Sequence, residues 1–157
     1  MPDLATDRLD LHALTLEEAV ALTAGRLAGF AFAEGYPMAD TADGVRLFLR
    51  HHDRDFGVHV VVRREDGRVI GDAGFGGPPA DGAVVLGYEI VPGARRQGYA
   101  TEVIRALAGW ALEQPGVEEV RAETLPDNEP SIRALLRAGF VERESGEKVR
   151  RFALSAG

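Results

Sequence analysis

The stretch that most restricts the fold is "AVVLGYEIVPGARRQGYATEVIRALAGWALEQPGVEEVRAETL", residues 83–125. An apolar run of strand composition leads directly into a basic, glycine-bearing turn. Val103, Ile104, Leu107, Ala108 and Ala111 then recur at helical spacing, from about Gly98 to Gln114, as one face of an amphipathic helix does. "PGV" stops that helix and "EEVRAETL" returns to strand. A strand, helix and strand joined this tightly are expected to place the two strands side by side and parallel, with a right-handed crossover.

The turn inside this unit, "VPGARRQGYATE" at residues 91–102, is basic in a chain whose net charge is -7. A glycine between strand and helix lets backbone approach a ligand closely. The first helical turn presents unpaired N–H groups at the positive end of the helix dipole. The turn therefore reads as an anion site. It is not a Walker loop, which needs Gly, four residues and Gly-Lys-Ser/Thr, nor a dinucleotide fingerprint of three spaced glycines after the first strand.

The flanking sequence predicts a mixed sheet covered by helices. "TDRLDLHAL" alternates apolar Leu9 and Leu11 with polar neighbours and suits a first strand. Thr15 and Glu18 have the spacing of a capping box at a helix start. The segment Gly29–Met38, "GFAFAEGYPM", does not read as regular structure, and a short helix is expected over Asp43–His51. "FGVHVVVRR" and "RVIGDAGFGG" are expected to form a hairpin about "EDG". "DNEPSIRALLRAGF" reads as a helix capped by Asn128, with Pro130 in the first turn and Gly139 at the end. The remainder suggests two strands around Ser145-Gly146. The expected order is β-α-α-β-β-β-α-β-α-β-β, one α/β (α+β) domain over residues 1–157 with no linker or repeat.

Composition narrows the chemistry. A pI near 5.1 argues against nucleic acid as the main partner, since phosphate backbones favour basic domains. With no cysteine there is no thiolate metal site and no thioester intermediate carried on the protein. The N-terminal "MPDLATDRLD" has no signal-peptide core, and no run of about 20 apolar residues occurs. A cytoplasmic protein without a membrane partner is expected.

Arg95, two residues, Gly98, one residue and Ala100, directly after "GYEIV", resemble the acetyl-CoA loop of the GNAT superfamily of N-acetyltransferases. The opening "TDRLDLHAL", the continuation "GYATE" and the Asn-x-x-Ser segment "DNEPSIRALLRAGF" with its Gly-Phe resemble the ribosomal-protein-type (RimJ/RimL-like) branch. The resemblance implies a mostly antiparallel mixed sheet in which the parallel pair splays apart. It implies acetyl-CoA as cosubstrate and no metal. Ile90 and Val91 would pair with the pantetheine arm, Arg96, Gln97, Gly98, Tyr99, Ala100 and Thr101 would hold the diphosphate, and Asn128 belongs to the second acetyl-CoA segment.

The reaction it implies is attack of a primary amine on the thioester in a ternary complex. An amine must lose a proton to attack, so a base is useful, directly or through water. Glu89, on the strand before the turn, and Glu123, five residues before Asn128, are the two candidates. Many relatives place a tyrosine seven residues after the asparagine as proton donor, whereas this chain has Leu135. Ser131 is the remaining hydroxyl at a fitting position, and it equally suits a helix cap. Phe32, Glu34 and Tyr36 are the candidate acceptor-binding residues, because carboxylates and ring faces attract cations.

Adjacent residues on a helix point different ways, so "HHDRD" at residues 51–55 is not expected to chelate one ion. His12 and His59 read as ordinary half-buried or solvent-facing strand residues, and Trp110 as packing. The expected partner is an amine acceptor, a small molecule or a protein N-terminus, with a homodimer compatible with the sequence. The rival reading is a non-catalytic acetyl-CoA or CoA-binding regulatory module that keeps the fold.

Overall fold

The computed structural model describes residues 1–51 and 55–156, so residues 52–54 of "HHDRD" lie outside the described residues. The elements, in chain order, are β1 (Leu4–Ala5), β2 (Leu9–Ala13), α1 (Leu16–Thr23), β3 (Ala31–Phe32), α2 (Thr41–His51), β4 (Val58–Arg63), β5 (Arg68–Phe75) and β6 (Ala83–Ile90). A 3-10 turn at Pro92–Ala94 leads to α3 (Tyr99–Leu112), followed by β7 (Glu119–Thr124), α4 (Glu129–Arg137), β8 (Val141–Glu142) and β9 (Arg150–Ser155).

The strands form one sheet in the order β1-β2-β4-β5-β6-β7-β9-β8, with β3 added beside β5. Neighbours are antiparallel except β6 with β7 and β3 with β5. The mixed, mostly antiparallel architecture and the parallel β6–β7 pair agree with the sequence. Two short strands were not expected. β1 pairs with β2. β3 lies inside the segment read as irregular and pairs with Arg68 and Val69 of β5, beyond the point where the β6 ladder ends at Gly71. That vacant flank of β5 is a tertiary feature, invisible to local patterning.

Helix ends follow their sequence signals. Thr15 accepts from the Glu18 N–H, and the Glu18 carboxylate accepts from the Thr15 N–H at 2.9 Å, closing the capping box. Asn128 caps α4 through a bond from the Ser131 N–H at 3.3 Å. Val103, Ile104, Leu107, Ala108 and Ala111 of α3 are all fully buried. Trp110 packs against Phe56 and Phe75, with ring centroids at 5.4 and 6.0 Å.

His59 departs from expectation: it is completely buried and its Nε2 pairs with the Pro2 carbonyl at 2.9 Å. β4 lies between β2 and β5 and the N-terminal segment covers it, so even its polar residue is enclosed. Burial pushes the imidazole pKa down and keeps the ring neutral.

Gly109 lies on the exposed side of α3 with open space where a side chain would start. Gly109→Ala is expected to raise the Tm by roughly 2–4 °C, because alanine is favoured in helix interiors by about 1 kcal/mol. Calorimetry of the two proteins checks it.

Candidate active site

The parallel pair opens where the sequence changes from apolar to functional. The β6–β7 register covers Ala83, Val84 and Val85 against Glu119, Val120 and Arg121. β6 then continues to Ile90 beside β5, and β7 continues to Thr124 beside β9. From Leu86 onward the two strands have no ladder between them. The Val91 N–H donates to the Ile70 carbonyl at 2.8 Å, so Val91 faces β5. By alternation in an antiparallel ladder, Leu86, Tyr88 and Ile90 turn their N–H and C=O groups away from β5 and toward this gap. Of the two residues expected to pair with pantetheine, Ile90 therefore carries the edge groups. Its carbonyl accepts from Arg95 Nε at 2.9 Å.

The basic turn has the backbone of an anion cradle. Arg96 and Gly98 both have positive φ, 65° and 82°. Gly98 stands at the N-cap of α3 without a side-chain cap. The first helical bond runs from the Glu102 N–H to the Gly98 carbonyl at 3.2 Å. The N–H groups of Tyr99, Ala100 and Thr101 consequently have no helical acceptor. Arg96 and Gln97 are exposed beside them. This arrangement fits a diphosphate.

The carboxylate in the first turn of α3, Glu102, would oppose an anion. It is drawn aside: Thr6 Oγ1 donates to it, and Arg8 donates through its N–H at 3.0 Å and through Nε at 2.8 Å. Partial burial works the other way, yet these bonds hold the Glu102 pKa below the usual carboxylate value. The Arg8 guanidinium also lies 4.3 Å from the centre of the Tyr99 ring. "TDR" and "GYATE", far apart in sequence, thus form one support under the turn.

A cleft of about 370 Å³ opens against β5 and β6 and is lined by residues that include Asp40, Thr41, Asp72, Tyr88, Glu89 and Glu123. Asp72 of β5 lies directly across from Glu89 of β6. Thr41 Oγ1, at the start of α2, is 2.8 Å from Asp72 Oδ2 and 3.0 Å from Glu89 Oε1, and it also accepts from the Met38 N–H at 3.0 Å. Tyr36 donates to Asp72 Oδ2 at 3.0 Å. A hydroxyl has one proton, so Thr41 can donate to one carboxylate only. With Asp72 accepting from both Tyr36 and Thr41, the network is satisfied when Glu89 is protonated.

The electrostatics agree. Burial, then the neighbouring Asp72 charge, pushes Glu89 up to about 7. Asp72 is raised as well, chiefly by burial. Burial and the Asp72 charge also raise Tyr36, which stays a donor. Such a carboxyl changes charge near neutral pH, as a general base requires. β5 and β6 pack closely at this point, since a Cβ on Gly71 would lie 2.1 Å from the Glu89 carbonyl oxygen.

A profile of the acetyltransferase (GNAT) domain family matches residues 8–141. The chain belongs to the GNAT acetyltransferase family. Among relatives of this GNAT protein, the uncharacterized N-acetyltransferase YoaA of Bacillus subtilis is 30% identical over 148 residues, covering 88% of this chain and 82% of YoaA. YjdG, another uncharacterized N-acetyltransferase from Bacillus subtilis, is 29% identical over 96 residues, 60% of this chain and 57% of its own length. The ribosomal L7/L12 alpha-N-protein acetyltransferase RimL, solved with coenzyme A, has the same fold, with a TM-score of 0.70 and 16% identity over 98% of both chains.

Within this GNAT fold the sequence-named residues divide into those at the gap and those away from it. Glu89 sits in the cleft, and the turn residues Arg96 to Thr101 lie at the α3 terminus. Glu123 lines the cleft too, but its side chain is 53% exposed and pairs with Arg151 at 3.4 Å. The Asn128 side chain caps α4, while the Ser131 hydroxyl reaches across to the Tyr88 hydroxyl at 2.5 Å. Tyr36 is buried with its hydroxyl held by Asp72, and Phe32 stacks edge-on behind it at 5.1 Å. Neither Phe32 nor the exposed Glu34 lines the cleft; the start of α2 does.

Sequence reading passed over Asp72, Thr41 and Tyr88. Asp72 had one visible signal, a lone carboxylate in the apolar strand "RVIGDAGF".

Proposed function

We propose that the protein transfers the acetyl group of acetyl-CoA to a primary amine by direct attack in a ternary complex. Acetyl-CoA supplies an activated acyl group as a thioester. The Ile90 edge of β6 would hold the pantetheine arm, and the backbone N–H groups of Gly98, Tyr99, Ala100 and Thr101 would hold the diphosphate, with Arg96 and Gln97 adding contacts. Glu89 is the base: it takes the proton of the incoming ammonium, directly or through water. Asp72 and Thr41 keep its pKa near neutrality and its carboxyl aimed into the cleft. The observation that carries the reading is Glu89, raised to about 7 at the mouth of the β6–β7 gap.

The acceptor side is acidic, with Asp40, Asp72, Glu89 and Glu123 around one cleft. That field attracts a cationic amine, whether of a small molecule or of a protein N-terminus. The test is release of free thiol from acetyl-CoA in the presence of polyamines, aminoglycosides and N-terminal peptides. Acceleration by an amine, with the acetyl group recovered on nitrogen, is the expected result. Tight acetyl-CoA binding with no thiol release on any amine would overturn it in favour of a regulatory binding module.

A further inference from the structure

We infer that Tyr88 is the proton donor to the departing coenzyme A thiolate, with Ser131 as its relay to solvent. This rests on the acetyl-transfer reading and adds to it the group that the missing tyrosine would have supplied. Position 135 holds a fully buried leucine in α4, so the helix presents no phenol there. A hydroxyl instead reaches α4 from the neighbouring strand.

Tyr88 and Glu89 are consecutive on β6, so their side chains leave opposite faces of the sheet. Glu89 meets Thr41 of α2 on one face. Tyr88 meets Ser131 of α4 on the other, with Oη 2.5 Å from Ser131 Oγ and 3.4 Å from the Ser131 carbonyl oxygen. Both flank the stretch where β6 and β7 part. Base and acid thus lie on opposite faces of the sheet beside one gap, so that the nitrogen and the sulfur of the tetrahedral adduct, which leave the same carbon in different directions, can each meet its own group. Ser131 does not cap its own helix through its hydroxyl, because Asn128 performs that role. Its hydroxyl is left for Tyr88. Burial raises the Tyr88 pKa, so the phenol carries its proton throughout the neutral range.

The step balances. The amine nitrogen forms a bond to the acetyl carbonyl carbon, and the carbon–sulfur bond breaks with its electron pair going to sulfur. Glu89 receives the first proton of the ammonium and passes it to solvent. The second nitrogen proton leaves to water once the carbon–nitrogen bond has formed, and Tyr88 Oη gives one to sulfur. The phenolate recovers a proton through Ser131 Oγ from water. The products are the N-acetylated amine and the free thiol.

The test uses the full chain and a readout independent of turnover. Coenzyme A is bound to the wild type, Y88F and S131A, and the ultraviolet absorbance of its thiolate is titrated. The bound thiol is expected to ionise about one pH unit lower on the wild type than on Y88F, the size of one hydrogen bond to a charged group. In the amine assay, Y88F is expected to lower kcat by about 10- to 100-fold with KM for acetyl-CoA within twofold. The Y88F S131A double variant should be no slower than Y88F, as members of one relay are not additive.

Equal titration curves for the wild type and Y88F would overturn the assignment. So would a Y88F variant that loses coenzyme A binding or melts several degrees lower, since the hydroxyl would then be a structural pin. A thiol shift in the wild type with no amine acetylated would count against the proposed reaction and leave the Tyr88 contact standing.

Discussion

Glu89→Gln is expected to lower kcat by about 10²- to 10³-fold, the range for loss of a general base, while acetyl-CoA affinity stays near that of the wild type. The reason is the carboxyl's position at the gap and its pKa, pushed up to about 7 by burial first and Asp72 second. In the wild type, activity should climb with pH through about 7 as Glu89 ionises. Glu89→Gln should lose that limb. Asp72→Asn should move it to lower pH, because the Asp72 charge and hydrogen bond both raise Glu89, and burial with the smaller effect of the Asp40 charge would remain. Glu123→Gln, an exposed partner of Arg151, should leave the limb in place. Rates measured across pH for the three variants decide among them, and an unchanged limb in Glu89→Gln would remove Glu89 as the base.

The same carboxyl carries a stability cost with a definite sign. Its folded-state pKa lies above the ordinary 4.5, so its protonated form favours folding and that contribution is lost as pH rises through about 7. Replacing it by neutral glutamine should therefore raise the Tm at pH 8 and change it little at pH 5. Each kcal/mol regained is worth roughly 2–4 °C in a chain of this size, and solvent contact of the half-exposed carboxyl keeps the gain small. A variant that is less active and more stable at pH 8 is the signature of a group held for chemistry. Equal melting temperatures at pH 8 would mean that the ionised carboxyl is well solvated.

Gly98→Val is expected to weaken acetyl-CoA binding at least tenfold, measured by calorimetry on the folded variant. Backbone strain carries the effect. The residue sits at φ 82°, where a β-branched side chain is strained by about 1–3 kcal/mol. Its Cβ would meet the Arg8 guanidinium at 3.4 Å, an ordinary contact. Relaxing the strain moves the N–H groups of Tyr99, Ala100 and Thr101 away from a common focus. Binding within threefold of the wild type would show that these amides do not carry the anion.

What was legible in the sequence depended on short-range physics. The Thr15 capping box, the Asn128 cap, the buried stripe of α3 and the β6–α3–β7 unit all follow from spacings within one element or one turn. The anion cradle was legible for the same reason, since the glycine, the helix start and the strand before it are contiguous. Glu89 and Glu123 were equivalent in sequence, two carboxylates on two strands at the same gap.

Only the tertiary structure separated them. Asp72 becomes the partner of Glu89 through the antiparallel register of β5 and β6, and Thr41 joins the pair when α2 packs over that face. Tyr88 and Ser131 meet because the strand and helix that carry them share the opposite face. The sequence by itself determined the longer elements, their caps, the parallel pair and the turn that suits a diphosphate, because each depends on neighbours along the chain, whereas β1 and β3 form only through their tertiary partners. Which carboxyl is shielded from water, and which hydroxyl meets Ser131, depends on residues 31 to 48 positions apart. Burial and pairing at that range set the pKa values, and no local pattern encodes them.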